Sequence, residues 1–199
     1  AIEQRNAELA VIDAIQQGVA GALDFSGIAR LVGDRLREVF GTGSVSMLWL
    51  DDATNQLHTL YNYEHGKPIP PRAARPLEVE DRMRRFIRER ETLVLNTRAE
   101  QAAFGVTPAP GTDWCHSLVS VPIVGGSRGL GMIALQNHER EYAYGEAEVR
   151  LLQTVASSIG MALENARLMQ QTKRALERQT ASAEILRAIG QSPGDEAPV

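Results

Sequence analysis

From Tyr144 to Ile189 the chain runs without a proline, and after Gly145 its only glycine is Gly160. The stretch is dominated by Ala, Leu, Glu, Gln, Arg and Met, which lose little on entering a helix. A helix of about 45 residues, rising about 1.5 Å per residue, is roughly 67 Å long. A compact domain of about 150 residues is roughly 40 Å across. The stretch therefore predicts a rod that packs along a domain and continues past it. A helix that leaves its domain connects to something, and the rest of the chain is arranged around it.

The 199 residues suit one domain with helical extensions. A net charge of -4 argues against a general nucleic-acid binder, which is usually basic. A single cysteine leaves no internal disulfide and no four-cysteine zinc site, and it fits a reducing, cytoplasmic setting. No apolar run reaches the roughly 20 residues that span a bilayer, and no signal peptide opens the chain, so membrane insertion is not expected. The chain opens inside a helical pattern and closes on a Pro/Gly/Asp-rich stretch, so we expect a piece of a longer protein.

Leu9, Ile12, Ile15 and Val19 fall on one stripe of a helix over residues 1–19. Asp24 or Ser26 can cap a second helix whose apolar face is Ile28, Leu31, Val32, Leu36 and Val39. Val45, Met47 and Trp49 alternate along a strand, as do Leu57, Thr59, Tyr61 and Tyr63, and turn residues between them predict a hairpin. The four prolines of residues 65–76 predict a loop. A helix is expected over 78–90, a short strand at 92–95, a helical turn at 100–104 and a loop over 106–113. SLVSVPIV (117–124) and LGMIALQ (130–136) read as two strands joined by a turn at Gly125–Arg128, with Pro122 marking an edge or bulge. The order of hairpins and helices predicts an α+β domain with a largely antiparallel sheet.

Three passages then resemble the GAF domain, a ligand-sensing module of signalling proteins: LVGDRLREVFGTGSVSMLWLDDATNQLHTLY, SLVSVPIVGGSRGLGMIALQNHE and EYAYGEAEVRLLQTVASSIGMALENARL. The resemblance covers about residues 8–170. It implies a GAF-like, PAS-related antiparallel sheet flanked by helices, with the first and last helices on one face and a ligand pocket on the other. The segment QQTKRALERQTASAEILRAIGQSP resembles the coiled-coil linker that follows GAF domains in sensor histidine kinases and nucleotide cyclases. The expected organisation is an N-terminal dimerisation helix (1–20), the GAF domain (8–170), a coiled-coil signalling linker (171–190) and a flexible tail (191–199).

On a heptad reading, Leu152, Ile159 and Ala166 share one seam position, and Val155, Ala162, Met169, Leu176 and Ala183 share the other. With Leu9, Ile12 and Val19 of the first helix, these residues are the expected homodimer face. Trp49, Tyr61, Tyr63 and Trp114 are placed at strands or strand mouths, where they either line a pocket for a flat ligand or fill the core. Cys115 and His116 complete the candidate pocket. In phytochrome-type GAF domains a Cys-His pair attaches a bilin, although there it lies further upstream of the strand. His116, His58 or His65 are candidate haem ligands.

GAF domains that bind cyclic nucleotides carry an Asn-Lys…Phe…Asp-Glu signature. Asn137 stands at its Asn position, His138 replaces the lysine, Tyr144 stands for the Phe, and Glu146 and Glu148 stand for the acids. The alternative is that Asn137 orders a turn while the two glutamates favour a helix N-terminus. Arg72, Arg75, Arg82, Arg84 and Arg85 form a basic run that either receives an anion or is simply solvated.

Some GAF domains reduce free methionine sulfoxide with an attacking and a resolving thiol, and one cysteine cannot supply both. No metal spacing such as His-Glu-x-x-His is present, and Asn137-His138-Glu139 is expected to have no second histidine to complete a zinc site. The expectation is a cytoplasmic, non-catalytic sensor domain with no metal. It would dimerise, take a small molecule and signal to a kinase or cyclase output domain of the same chain, as in a two-component system. Alternatives are a bilin photosensor using Cys115, a cyclic-nucleotide-binding domain, or a dimerisation spacer with a closed pocket. The sequence names no cofactor.

Overall fold

The computed structural model describes residues 2–20, 25–70, 72–78, 82–108 and 111–190. Along the chain they form α1 (Ile2–Ala20), α2 (Phe25–Phe40), β1 (Ser44–Asp51), β2 (Gln56–Glu64), β3 (Lys67–Pro68) and β4 (Arg75–Pro76). These are followed by α3 (Arg82–Glu89), β5 (Leu93–Leu95), α4 (Arg98–Phe104), β6 (Ser117–Gly125), β7 (Arg128–Asn137) and α5 (Glu146–Gly190). Two corrections to the expected elements are local. The proline-rich loop of 65–76 contributes two short strands paired to β2, and the helical turn at 100–104 begins two residues earlier. Asp24, Val79, the 191–199 tail and the side chains of Val19 and Ala166 lie outside the described residues.

The strands form one antiparallel sheet in the order β3-β2-β1-β7-β6-β5, with β4 also paired to β2. Pro122 lies in β6 beyond the last residue that β5 pairs, so its missing donor costs no ladder bond on that side. The β6–β7 hairpin turns through Gly126 at φ 60, a left-handed conformation that suits glycine.

The two faces of the sheet are chemically different. On one, Val45, Met47, Val119, Val121, Ile133 and Leu135 pack against α1, α2 and α5 in the main core. On the other lie two smaller apolar clusters that include Met83, Phe86 and Ile87 of α3. The two clusters share Leu48, Met83 and Phe86, and the polar Ser46, Asn62 and Ser120 lie on the same face. The helical face comes from amphipathic spacing: Val11, Ile28, Val32, Leu36, Leu152, Val155, Ile159 and Leu163 are all fully buried. Each such side chain contributes about 1.5–3 kcal/mol relative to remaining in water.

That burial corrects the expected dimer face. Leu152, Val155 and Ile159 belong to the domain's own core, and Ala162 is half-buried against it. The heptad that marks a seam also marks the stripe by which a helix docks on a sheet, and here the sheet takes it. Ile12 is half-buried, whereas Leu9 remains exposed.

The chain divides into two compact units, Ala1–Leu163 and Glu164–Val199. The first holds the sheet and its helices. In the second, every described side chain from Leu168 onward is exposed, with Met169 at 71% and Leu176 at 62%. Among the described residues, no helix is long and apolar enough to cross a membrane.

Gly160 sets how closely α5 approaches the sheet, because a Cβ there would overlap the Val124 carbonyl oxygen at the end of β6. Helix propensity alone favours Gly160→Ala by about 1 kcal/mol. The overlap reverses that sign. Gly160→Ala should destabilise the domain by about 1–3 kcal/mol in urea unfolding, and a variant as stable as the parent would show that α5 docks differently.

Candidate functional site

A cavity of about 1040 Å³ opens on the face of the sheet turned away from α1, α2 and α5. Its floor is built by β1, β2, β6 and β7, with Ser46, Thr59, Asn62, Ser120, Ala134 and Gln136 reaching into it. Ser46 Oγ donates to Asn62 Oδ1 at 2.8 Å, so part of the floor is held by its own hydrogen bond. Its walls are α3, the end of α4 and the segment around Thr112–Cys115, while Arg72, Arg75 and Arg82 bring positive charge to the lining. Three of the five arginines in the basic run therefore face the cavity. Arg84 instead donates to the Leu77 carbonyl, and Arg85 pairs with Glu89.

The aromatic residues expected to line the pocket divide between the two faces. Trp114 and Cys115 line the cavity. Trp49, Tyr61 and Tyr63 do not; they pack on the helical core. Trp49 continues the alternation of Val45 and Met47 on that face, whereas for the two tyrosines the cause is a bulge. Met47 pairs with Tyr61 and Leu48 with Thr59, so Leu60 has no partner in β1. Side chains alternate with a period of two, and one extra residue moves those that follow to the other face. Tyr61 and Tyr63 thus stack with ring centroids 4.7 Å apart, and the Arg37 guanidinium lies 4.2 Å above Tyr63. Tyr61 also donates to Asp34 at 2.7 Å, and burial pushes its phenol well above the usual range. These aromatics fasten α2 to the sheet.

Cys115 is held by a residue the sequence reading did not single out. Gln101 is buried, its Oε1 accepts from Cys115 Sγ at 3.3 Å, and its Nε2 donates to the Cys115 and His116 carbonyls. α4 presents Gln101 through a capping box: Thr97 accepts from the Glu100 backbone, and Glu100 accepts from the Thr97 backbone. The Thr-x-x-Glu pattern was the available signal. Burial pushes the Cys115 thiol up, outweighing the hydrogen bonds that stabilise its thiolate. His116 is absent from the lining and lies beside Arg98, 3.4 Å from its guanidinium.

The cyclic-nucleotide signature does not converge on the cavity. The Asn137 carboxamide accepts from the backbones of Glu139 and Arg140, ordering a turn. Tyr144 packs in the helical core, Glu148 accepts from the Gly145 backbone, and Glu146 pairs with Arg150 along α5.

His138 has a different environment. It meets Glu64 and His65, with ligand-type atoms of all three within 4.8 Å of one another. Burial and the neighbouring His65 hold its pKa below the ordinary value. Glu64 and Asp113 line the cavity, so this cluster stands at its lip.

The model of the GAF domain family matches residues 22–164. No curated protein matches the chain. Among solved structures it is similar to residues 122–287 of a methyl-accepting chemotaxis protein, with 18% identity, 80% of this chain and 98% of that one covered, and a TM-score of 0.65. It is similar to the GAF domain of a phosphoenolpyruvate-protein phosphotransferase from Coxiella burnetii, with 18% identity, 82% and 96% covered and a TM-score of 0.63. It is also similar to the phycoerythrobilin-bound GAF domain of a cyanobacterial phytochrome, with 13% identity, 83% and 99% covered and a TM-score of 0.63.

Because the thiolate is the reactive form, Cys115 should react with Ellman's reagent at pH 8 about tenfold or more slowly than free cysteine. Unfolding in urea should restore the ordinary rate. A native rate equal to that of free cysteine would refute the burial of this thiol.

Proposed function

The chain belongs to the GAF domain family, and from that premise we propose a non-catalytic sensory domain that binds a small molecule in the cavity on its sheet. The observation that carries this is the cavity itself, about 1040 Å³, with Ser46, Thr59, Asn62 and Gln136 set among Leu48 and Met132 on its floor and arginines in its wall. It is large enough for a drug-sized or nucleotide-sized ligand. The arginines favour a ligand with an anionic group.

The domain is cytoplasmic and signals to an output domain of kinase or cyclase type in the same protein. The 171–190 segment serves as its linker. Exposed Met169 and Leu176 stand seven residues apart in the second unit, which is the spacing of a coiled-coil seam. An isolated exposed helix is marginal in water, so pairing with a second copy would stabilise this one. The ligand would bias two packings of the domain, and the linker would carry the difference as a rotation or a register change. The dimer reading therefore rests on the second unit rather than on Leu152, Val155 and Ile159.

A second reading, a bilin attached through Cys115, is favoured by the position of that thiol in the cavity lining. Its raised pKa and its bond to Gln101 oppose ready attack. Co-expression with a bilin-producing pathway separates the two readings, because only the second yields visible absorbance that survives denaturation.

A thermal-shift screen of anionic metabolites and nucleotides tests the ligand reading. A ligand at about 100 times its Kd adds about 2.7 kcal/mol, which raises Tm by roughly 5–10 °C for a chain of this size. Thr59→Trp, placed to fill the cavity, should abolish the shift while the variant stays folded. A shift unchanged in Thr59→Trp would place the ligand elsewhere.

For assembly, light scattering should give a dimer that Met169→Lys with Leu176→Lys converts to a monomer. A parent chain that is monomeric at high concentration would end the dimer proposal.

A further inference from the structure

We propose that Glu64, His65 and His138 form a binding site for one divalent transition-metal ion, with Zn²⁺ as the best match to the donor set. Two separate pieces of chain supply the donors, the adjacent Glu64 and His65 and the distant His138. Glu64 ends β2, His65 opens the turn that follows, and His138 follows the last residue of β7. β1 lies between β2 and β7 in the sheet, and the start of β1 pairs with the ends of both, Val45 with Tyr63 and Ser44 with Gln136. The ladder thereby brings the three residues to one edge.

His138 is the strongest observation. Its side chain is only 9% exposed, and among the described residues neither ring nitrogen has a hydrogen-bond partner. The Trp114 carbonyl is close enough to favour the protonated ring slightly, but it does not meet hydrogen-bond geometry. The Glu64 carboxylate lies 3.8 Å from Nε2, beyond hydrogen-bonding range, and the His65 ring stands 4.3 Å away, tilted by 50°. Buried polar atoms of this kind are rare because leaving one unpaired is costly. A metal ion would give one of those nitrogens a partner.

His65 supports the same reading. It adopts φ 49 ahead of Gly66 at φ 74, a turn in which Asn-Gly is favoured. What histidine adds at that position is an imidazole facing His138. Asp113 Oδ2 lies 3.2 Å from His65 Nε2, and the Asp113 backbone donates to Glu64 Oε1 at 3.0 Å. A carboxylate behind a histidine and a fixed carboxylate ligand are the usual outer supports of a metal centre.

Two imidazoles and a carboxylate suit zinc, whereas magnesium and calcium prefer oxygen alone. A tetrahedral ion with bonds of about 2.0–2.1 Å holds its ligands roughly 3.3 Å apart. The present separations, all within 4.8 Å, must therefore close by about 1–1.5 Å at most. Half-exposed His65 has room to do so. Three protein ligands leave a fourth position for water or for a donor atom of a cavity ligand, since Glu64 and Asp113 line that cavity. The metal proposal does not require the small-molecule reading.

The test is a Zn²⁺ titration of the EDTA-stripped, dialysed full chain against a chromophoric chelator. One equivalent should bind. His138→Gln and Glu64→Gln should weaken binding at least ~100-fold, and Asp113→Asn about 10–100-fold, as for an outer-shell partner. His58→Gln, within β2 but outside the cluster, should leave it unchanged. Co²⁺ should give visible ligand-field bands that His138→Gln removes, and millimolar Mg²⁺ should not compete.

Circular dichroism checks each variant. If His138→Gln does not fold, His65→Gln, on a half-exposed side chain, takes its place. Absence of stoichiometric binding, full competition by Mg²⁺, or equal affinity in the folded cluster variants would overturn the site. None of these readouts uses a cavity ligand, so their failure leaves the small-molecule reading intact.

Discussion

Leu60 has no partner across the β1–β2 ladder, and this extra residue sorts the side chains of β2. Before it, Leu57 and Thr59 face the cavity; after it, Asn62 and Glu64 do, while Tyr61 and Tyr63 turn to the helices. Without the bulge, strict alternation would carry the tyrosines into the cavity and Asn62 and Glu64 into the apolar core. Burying a carboxylate there without a charged partner would be prohibitive. The bulge thus gives the helical face Tyr61 and Tyr63 and the cavity face Asn62 and Glu64. It also puts Glu64 within reach of His138.

The helical face depends on close approach. Gly33 on α2 lies directly over the Tyr61 ring, where a Cβ would stand 2.6 Å from ring carbons. The ring is fixed by Asp34 at its hydroxyl and by Tyr63 beneath Arg37. Gly160 plays the same part for α5. Two glycines at helix–sheet crossings, each disfavoured by intrinsic propensity, are tolerated because larger residues would hold the helices off the core.

Periodicity made most of the architecture legible. The apolar stripes of α1, α2 and α5, both hairpins and the antiparallel class all follow from spacing. What spacing could not provide was the identity of the surface each stripe meets. Leu152, Val155 and Ile159 fit a seam between two copies and a seam against a sheet equally well, and only the fold decides. The same limit applies to Tyr61 and Tyr63, since a bulge leaves no mark in the alternation itself. Gln101 was within reach through its capping box. The Glu64–His65–His138 cluster was not, because His138 lies more than 70 residues from the adjacent Glu64 and His65 and meets them only through the β2-β1-β7 register.

The composition of the cavity floor bears on what the domain is for. Of the residues that β1 and β6 send to the helices, Val45, Met47, Val119, Val121 and Ile123 are all apolar. The same strands send Ser46 and Ser120 the other way beside Leu48 and Leu118, joined by Thr59, Asn62 and Gln136 from β2 and β7, so that this face is mixed where the helical face is not. A domain serving only as a dimerisation spacer gains nothing from that asymmetry, because apolar residues on both faces would close the second core and add stability. Hydroxyls and carboxamides set among leucines and methionines suit a partner that carries both polar and apolar groups. The open cavity of about 1040 Å³ that results is the feature on which the small-molecule proposal rests.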